Sequence, residues 1–344
     1  MIRLSLSKSA WPVVGFAILI STFIFALEFG ATPVRMGICQ AVYPNTRPSF
    51  VATEYLGPHI NASTLIANVL AMREGRRVPI TIASSKIIHQ HRNTADIPTA
   101  YHSLVTSWRS TYPDWLYILW DDESNLKLVE TFFPEWRNAY NALPSETYRA
   151  DFARNLYMYL FGGMYADLNS EAISPLEPIL AAQVLKKPPI AFLGMMQTST
   201  AHLHSIPTAF MASSAPGHPL WLKSVQDAVD WARARSWGRN IPGPEYVTGP
   251  VALRRSIMNY SPLSLELAPI LPTVPFPSDT LNHSTPQMVI FSPNTIYPAT
   301  WDRSRPHVST AAQECVCWMS MPTFSPAACK KMTGARWVIN YWEH

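Results

Sequence analysis

Four residues have the types and spacing for chemistry: Asp151, Arg154, Asp167 and Asn169. On a helix, positions 151 and 154 share a face. On a strand, positions 167, 169 and 171 point to one side. Gly162-Gly163 supplies a tight turn between the two elements, so an acid–base pair and a cluster of oxygen ligands can meet in one crevice. Oxygen ligands suit hard divalent ions such as Mn²⁺ and Mg²⁺. An ion held there could neutralise charge building on a diphosphate leaving group. Asp151 can accept hydrogen bonds from hydroxyls, and Arg154 can donate them. The plain alternatives are a structural ion pair for Asp151–Arg154 and a turn-capping role for Asp167.

The elements that must position these residues are readable in outline. Ser145 can cap a helix from Glu146 to about Phe161, ended by Gly162 and Gly163. A strand then begins at Met164 and delivers Asp167 and Asn169. Upstream, Lys86–His89 and Trp115–Trp120 read as short buried strands, with a helix over residues 98–109 between them. Strand-like stretches recur at Ile190–Leu193 and Thr208–Ala212. Helices are expected over His218–Arg235 and from Pro250, while residues 262–310 read as Pro-rich and irregular. This alternation favours an α/β domain with a largely parallel sheet. In such sheets ligands sit beyond the carboxyl ends of the strands, where His89-Gln90 and Asp121-Asp122 fall.

Composition bounds the partners. Of 344 residues, 48% are hydrophobic and 15% charged, enough apolar material for a sizeable core. The net charge of +4 is scattered without a basic stripe, so no nucleic-acid partner is expected. The 12 Trp and 14 Tyr suit sugar and base faces, and equally suit core packing. Cys39, Cys315, Cys317 and Cys329 lack zinc-finger spacing and read better as disulfides, their pairing open.

Ala10–Leu27 is uncharged and apolar, with Arg3 and Lys8 before it and Glu28 after. That pattern predicts a single membrane-spanning signal-anchor with the N-terminus cytosolic. Cleavage after Ala31 is the alternative. The expected layout is a cytosolic tail (1–9), an anchor (10–29), a Pro-rich stem (30–80) with a short helix over 63–75, and a luminal domain (81–344). Acceptor triplets for N-glycosylation begin at Asn61, Asn259 and Asn282, in keeping with that topology.

The ordered string Arg149-Ala150-Asp151-x-x-Arg154, Leu160, Gly162-Gly163-x-Tyr165-x-Asp167-x-Asn169 resembles the sugar-binding region of glycosyltransferases with a DXD motif. It is most similar to family 32, which includes the fungal α-1,6-mannosyltransferases that initiate outer chains. Lys86–Gln90, Trp108, Tyr112–Asp122, Ile206-Pro207, Gly217–Pro219 and Thr248–Pro250 resemble further blocks in the same order. Trp337–His344 resembles a terminal block.

The resemblance implies a GT-A type nucleotide-sugar-binding domain and sugar transfer with retention of configuration. It implies a nucleotide-sugar donor, with GDP-mannose expected, and a glycan or glycolipid acceptor, at the Golgi membrane. Asp167 and Asn169 would hold Mn²⁺ (or Mg²⁺) and the donor diphosphate. Asp151 and Arg154 would hold the sugar, and His89, Gln90 and Tyr165 would lie at the donor. Glu171 and His344 are further candidate ligands. Two positions depart from the family pattern. Asn169 replaces the second Asp, and His91-Arg92 stand near the usual Trp, where Arg92 could stack on a base. Two rival expectations follow: transfer of mannose to an inositol-phosphate sphingolipid, and an inactive relative that scaffolds a partner.

Overall fold

A computed structural model describes residues 32–43, 59–74, 76, 86–178, 180, 189–196, 203–234, 241–260, 274–275, 287–300 and 308–343. The expected anchor over residues 10–29 and His344 lie outside the described residues. Among the described residues, no helix is long and apolar enough to cross a membrane.

Two compact units are present. The smaller lies within residues 1–49, 299–334 and 341–344. It holds α1 (Thr32–Val42) and two helices near the C-terminus. Cys39 pairs with Cys315, and Cys317 with Cys329, so all four cysteines are used.

The larger unit spans residues 50–298 and 335–340. It opens with α2 (Ala62–Arg73), β1 (Ile87–His91), α3 (Thr99–Thr111), β2 (Leu116–Trp120) and α4 (Asp122–Phe132). A short 3₁₀ turn and α5 (Arg137–Asn141) lead to α6 (Glu146–Leu160), β3 (Gly163–Ala166) and β4 (Ser170–Ala172). Then come β5 (Ile190–Gly194), β6 (Phe210–Ser213), α7 (Pro219–Ala234), α8 (Pro244–Val247) and α9 (Pro250–Tyr260). The last elements are β7 (Val274–Pro275), β8 (Gln287–Phe291), α10 (Pro293–Ile296) and β9 (Val338–Asn340). The smaller unit's α11 (Val308–Cys317) and α12 (Pro326–Thr333) lie between these last two in sequence.

The main sheet has the order β2-β1-β3-β6-β5-β8-β7. β1 pairs in parallel with β2 and β3, and β5 pairs in parallel with β8. β6 runs antiparallel between β3 and β5, and the two-residue β7 is an antiparallel edge. Five of the seven strands therefore share one direction, as the alternation of elements predicts. β4 leaves this sheet and pairs antiparallel with β9.

Among the described residues, the expected irregular stretch over 262–310 holds an interior strand. β8 seats Met288, Val289, Ile290 and Phe291 in the core. The dense prolines around it mask an apolar run of strand length.

Helix α6 is central, with ten of its fifteen residues buried, Asp151 and Asn155 among them. Its termination sets the site. Gly162 (φ 67°) donates to Met158 O, the left-handed closure that glycine makes at little cost. Gly163 (φ 84°) passes under β1 so closely that a Cβ would sit 2.3 Å from Ile87 O. Gly163→Ala is therefore expected to cost about 3 kcal/mol or more, through strain and steric overlap together. Urea unfolding of the variant would check this, and wild-type stability would contradict it.

Candidate functional site

Arg154 lies one helical turn from Asp151 on the inward face of α6. Its Nη1 is 3.3 Å from Asp151 Oδ1 and 3.4 Å from Asp167 Oδ1. The same nitrogen lies within 3.2 Å of Thr208 O and Oγ1. One NH₂ carries two hydrogens, so it cannot serve four oxygens at once. The guanidinium stacks over the Tyr165 ring at 4.6 Å, and its Nε–H is buried with no acceptor. Tyr165 OH donates to Asp167 Oδ1 at 2.7 Å, and Thr208 Oγ1 reaches Asp151 Oδ1 at 3.4 Å. The expected meeting of Asp151, Arg154, Tyr165 and Asp167 is thus present.

Electrostatics follow the burial. Burial pushes the Asp151 carboxyl up to about 6; Arg154 opposes this, and Asp167 adds to it. Burial alone would lower the Arg154 pKa, but the oxygens of Tyr165, Asp151 and Asp167 raise it above the ordinary arginine value. The guanidinium stays charged between two acids. Gly249 backs the pair, since a Cβ there would lie 2.8 Å from Asp151 Oδ2.

The motif itself departs from the expected strand. β3 ends at Ala166, and Asp167–Ser170 form a β-turn closed by Ser170 N–H to Asp167 O at 3.0 Å. Trp108 Nε1 holds the far end by donating to Ser170 O and Oγ at 3.1 Å. The alternation placing 167, 169 and 171 on one side is therefore overturned: Glu171 belongs to β4 in the second sheet, opposite Ile339. Asn169 accepts a hydrogen bond from Asn340 Nδ2 at 3.2 Å.

His89 and Gln90 are both fully buried. His89 Nδ1 accepts from Trp120 Nε1 at 3.0 Å, so Nε2 carries the proton and donates to Gly162 O at 3.0 Å. The ring stacks on Tyr157 and Phe161, and burial lowers its pKa to about 3. Both nitrogens are spent on the fold, so His89 secures the glycine turn and has no polar atom left for a donor. Gln90 accepts from Tyr117 OH at 2.8 Å and donates to Asp167 O at 3.2 Å, acting on the motif through its backbone. Arg92 lies over the Tyr101 ring, and His91 pairs with Asp122. Asp121 caps α4 through Ser124. A cavity of about 460 Å³ lies beside the end of β2, lined in part by Asn61, Arg109, Tyr117, Leu119 and Asp121.

Sequence reasoning missed Thr208 and Asn340. Thr208 directly follows the recognised Ile206-Pro207 pair, and that adjacency was the available signal. Asn340 lies inside the terminal block Trp337–His344, and no local signal marks it.

Residues 98–186 match the family described as the glycosyltransferase sugar-binding region containing a DXD motif. Asp167–Asn169, the expected DXD position, lies within that span. Inositol phosphoceramide mannosyltransferase 3 of Schizosaccharomyces pombe is 36% identical over 98 residues, 28% of each chain. Mannosyl phosphorylinositol ceramide synthase SUR1 of Saccharomyces cerevisiae is 30% identical over 141 residues, 41% of this chain and 34% of that one. The initiation-specific alpha-1,6-mannosyltransferase of S. cerevisiae is 27% identical over 86 residues, 24% and 18% of the two chains. The resemblance to DXD glycosyltransferases holds, and the chain spans about a third or less of these relatives' lengths. The structure of the PaToxG glycosyltransferase aligns over 58% of this chain and 76% of that one, with 15% identity and a TM-score of 0.37, too low to bear on the fold.

The turn at Asp167–Asn169 offers one carboxylate and one side-chain amide to a divalent ion. Asp167 is 30% exposed at its side chain, and the Asn169 amide follows in the same turn with its oxygen accepting from Asn340 Nδ2. No group of three or more His, Cys, Asp or Glu is placed to hold a metal among the described residues.

Proposed function

We propose that this chain is a retaining glycosyltransferase moving mannose from GDP-mannose onto a glycan or glycolipid acceptor. The carrying observation is Arg154 held between Asp151 and Asp167 within the matched region. Asp151 would accept from sugar hydroxyls, while the charged Arg154 guanidinium would hold both carboxylates in position beside the donor. Asp167 and Asn169 would hold Mn²⁺ or Mg²⁺, which when bound supplies charge neutralisation to the departing diphosphate. Thr208 and Tyr165 keep the charged pair in place, and Gln90 fixes the Asp167 backbone.

For the acceptor, the similarity to the two proteins named for inositol phosphoceramide favours the sphingolipid reading over the glycan one. The apolar run at Ala10–Leu27 and its basic flank support a type II Golgi membrane protein with a luminal domain. The two disulfides fit an oxidising compartment.

A donor and acceptor screen tests the reading. The full chain would be assayed with GDP-mannose and UDP-sugars, with and without Mn²⁺, on inositol phosphoceramide and on a mannan-type glycan. Mn²⁺-dependent mannosylation of either acceptor is the expected result. Turnover of a UDP-sugar alone would overturn the donor assignment and keep the class. Failure to bind any nucleotide sugar would favour the scaffold reading.

A further inference from the structure

Asn340 ends β9 and lies opposite Ser170, the residue after Asn169. Its Nδ2 donates to Asn169 Oδ1 across 3.2 Å. Asn340 is 2% exposed, and its own Oδ1 is buried with no hydrogen-bond partner. Native interiors leave few such oxygens unbonded, and each asks for an explanation.

We propose that Asn340 is a positioning residue for the DXD turn, setting which atom of the Asn169 amide faces outward. The inference rests on the turn being the cation and donor site.

Two facing amides can make one hydrogen bond in either of two ways. In the structure Asn340 donates and Asn169 accepts, so the oxygen of Asn169 is turned toward β9. If both amides rotate by half a turn, Asn169 donates and Asn340 accepts. The oxygen of Asn169 then stands where its NH₂ had been. The number of bonds between the two side chains is unchanged, so little is needed to tip the balance. The unbonded Oδ1 of Asn340 fits this: an amide held at one end only is not locked.

A cation beside Asp167 attracts an amide oxygen and repels an NH₂, so it selects the second arrangement. A carboxylate at position 169 could only accept, and would hold Asn340 in one orientation. The departure from Asp-x-Asp is what makes the exchange available. Asn340 thus acts through Asn169 on the shape of the cation site.

The test is Mn²⁺ binding by the full chain, read by the EPR signal of free Mn²⁺ with GDP present and, in parallel, with UDP. Melting temperature would be measured on the same samples. Asn340→Leu keeps the branched outline and the number of heavy atoms, though it is bulkier, and removes the hydrogen bond. It is expected to weaken Mn²⁺ binding by about tenfold or more, the usual effect of losing a partner that orients a ligand, with melting close to wild type. Asn340→Asp can only accept, so it fixes the second arrangement and should bind Mn²⁺ at least as tightly as wild type. Wild-type affinity in Asn340→Leu would overturn the proposal alone. Parallel loss of affinity and melting temperature in both variants would reduce Asn340 to a structural residue. Absence of Mn²⁺ binding by wild type with either nucleotide would overturn the donor-site reading, and this inference with it.

Discussion

Asp167→Asn is expected to lower sugar transfer by about 10²–10³-fold, the scale seen when one electrostatic stabiliser of a transition state is removed. The substitution keeps shape and removes charge. Asp167 Oδ1 accepts from Tyr165 and lies 3.4 Å from Arg154. An amide can preserve the Tyr165 bond but gives the departing diphosphate no charged anchor for a metal. Steady-state kinetics over a Mn²⁺ titration would check this. Saturating Mn²⁺ should recover little of the rate, because the lost group is a ligand and not only a contributor to affinity. The fold should tolerate the change. Asp151 remains as a counter-charge for Arg154, and the turn is closed by the Asp167 backbone. Near wild-type transfer in Asp167→Asn would remove the motif from the chemistry.

The core of this site was legible because it depends on local spacing. Asp151 and Arg154 share a face of α6 by helical period, and two glycines can only end that helix and turn into β3. Those rules act within a few residues, so composition and order suffice. What failed was the assumption that β3 continues past Asp167. Nothing local forbids that continuation. Trp108 on α3 draws the Ser170 backbone away by a hydrogen bond from 62 residues upstream, and Asn340 comes from 171 residues downstream. His89 shows a second limit. Its identity and strand-end position suggested a ligand contact, but Trp120, Tyr157 and Phe161 converge on it and take it into the core. Burial of a polar ring is decided by which aromatics meet it, and that is a tertiary fact. The strand β8 was missed for a simpler reason: its five residues sit among prolines whose loop signal outweighed a short apolar run.

Arg154→Ala and Arg154→Lys should separate the structural role of the guanidinium from its role toward a ligand. Removing it leaves Asp151 and Asp167 facing a shared space without a counter-charge. Breaking a buried ion pair from one side costs about 3–5 kcal/mol. Part of that cost is relieved because Asp151, already pushed up to about 6, can take a proton. Arg154→Ala should therefore unfold at lower urea and transfer no sugar. Arg154→Lys retains one positive charge for the two carboxylates but loses the planar fork. Its ammonium, a compact point charge, cannot at once meet Asp151, Asp167 and Thr208 as the guanidinium does. Its stability should fall by only about 1 kcal/mol, the scale of a single net hydrogen bond. Its transfer rate should still fall by about 10²-fold, as when one preorganised donor is lost. Urea unfolding and initial rates on the same preparations check both. If the rate in Arg154→Lys stays near wild type, the pair with Asp151 is structural only; if the rate is lost while stability holds, the guanidinium acts on the donor.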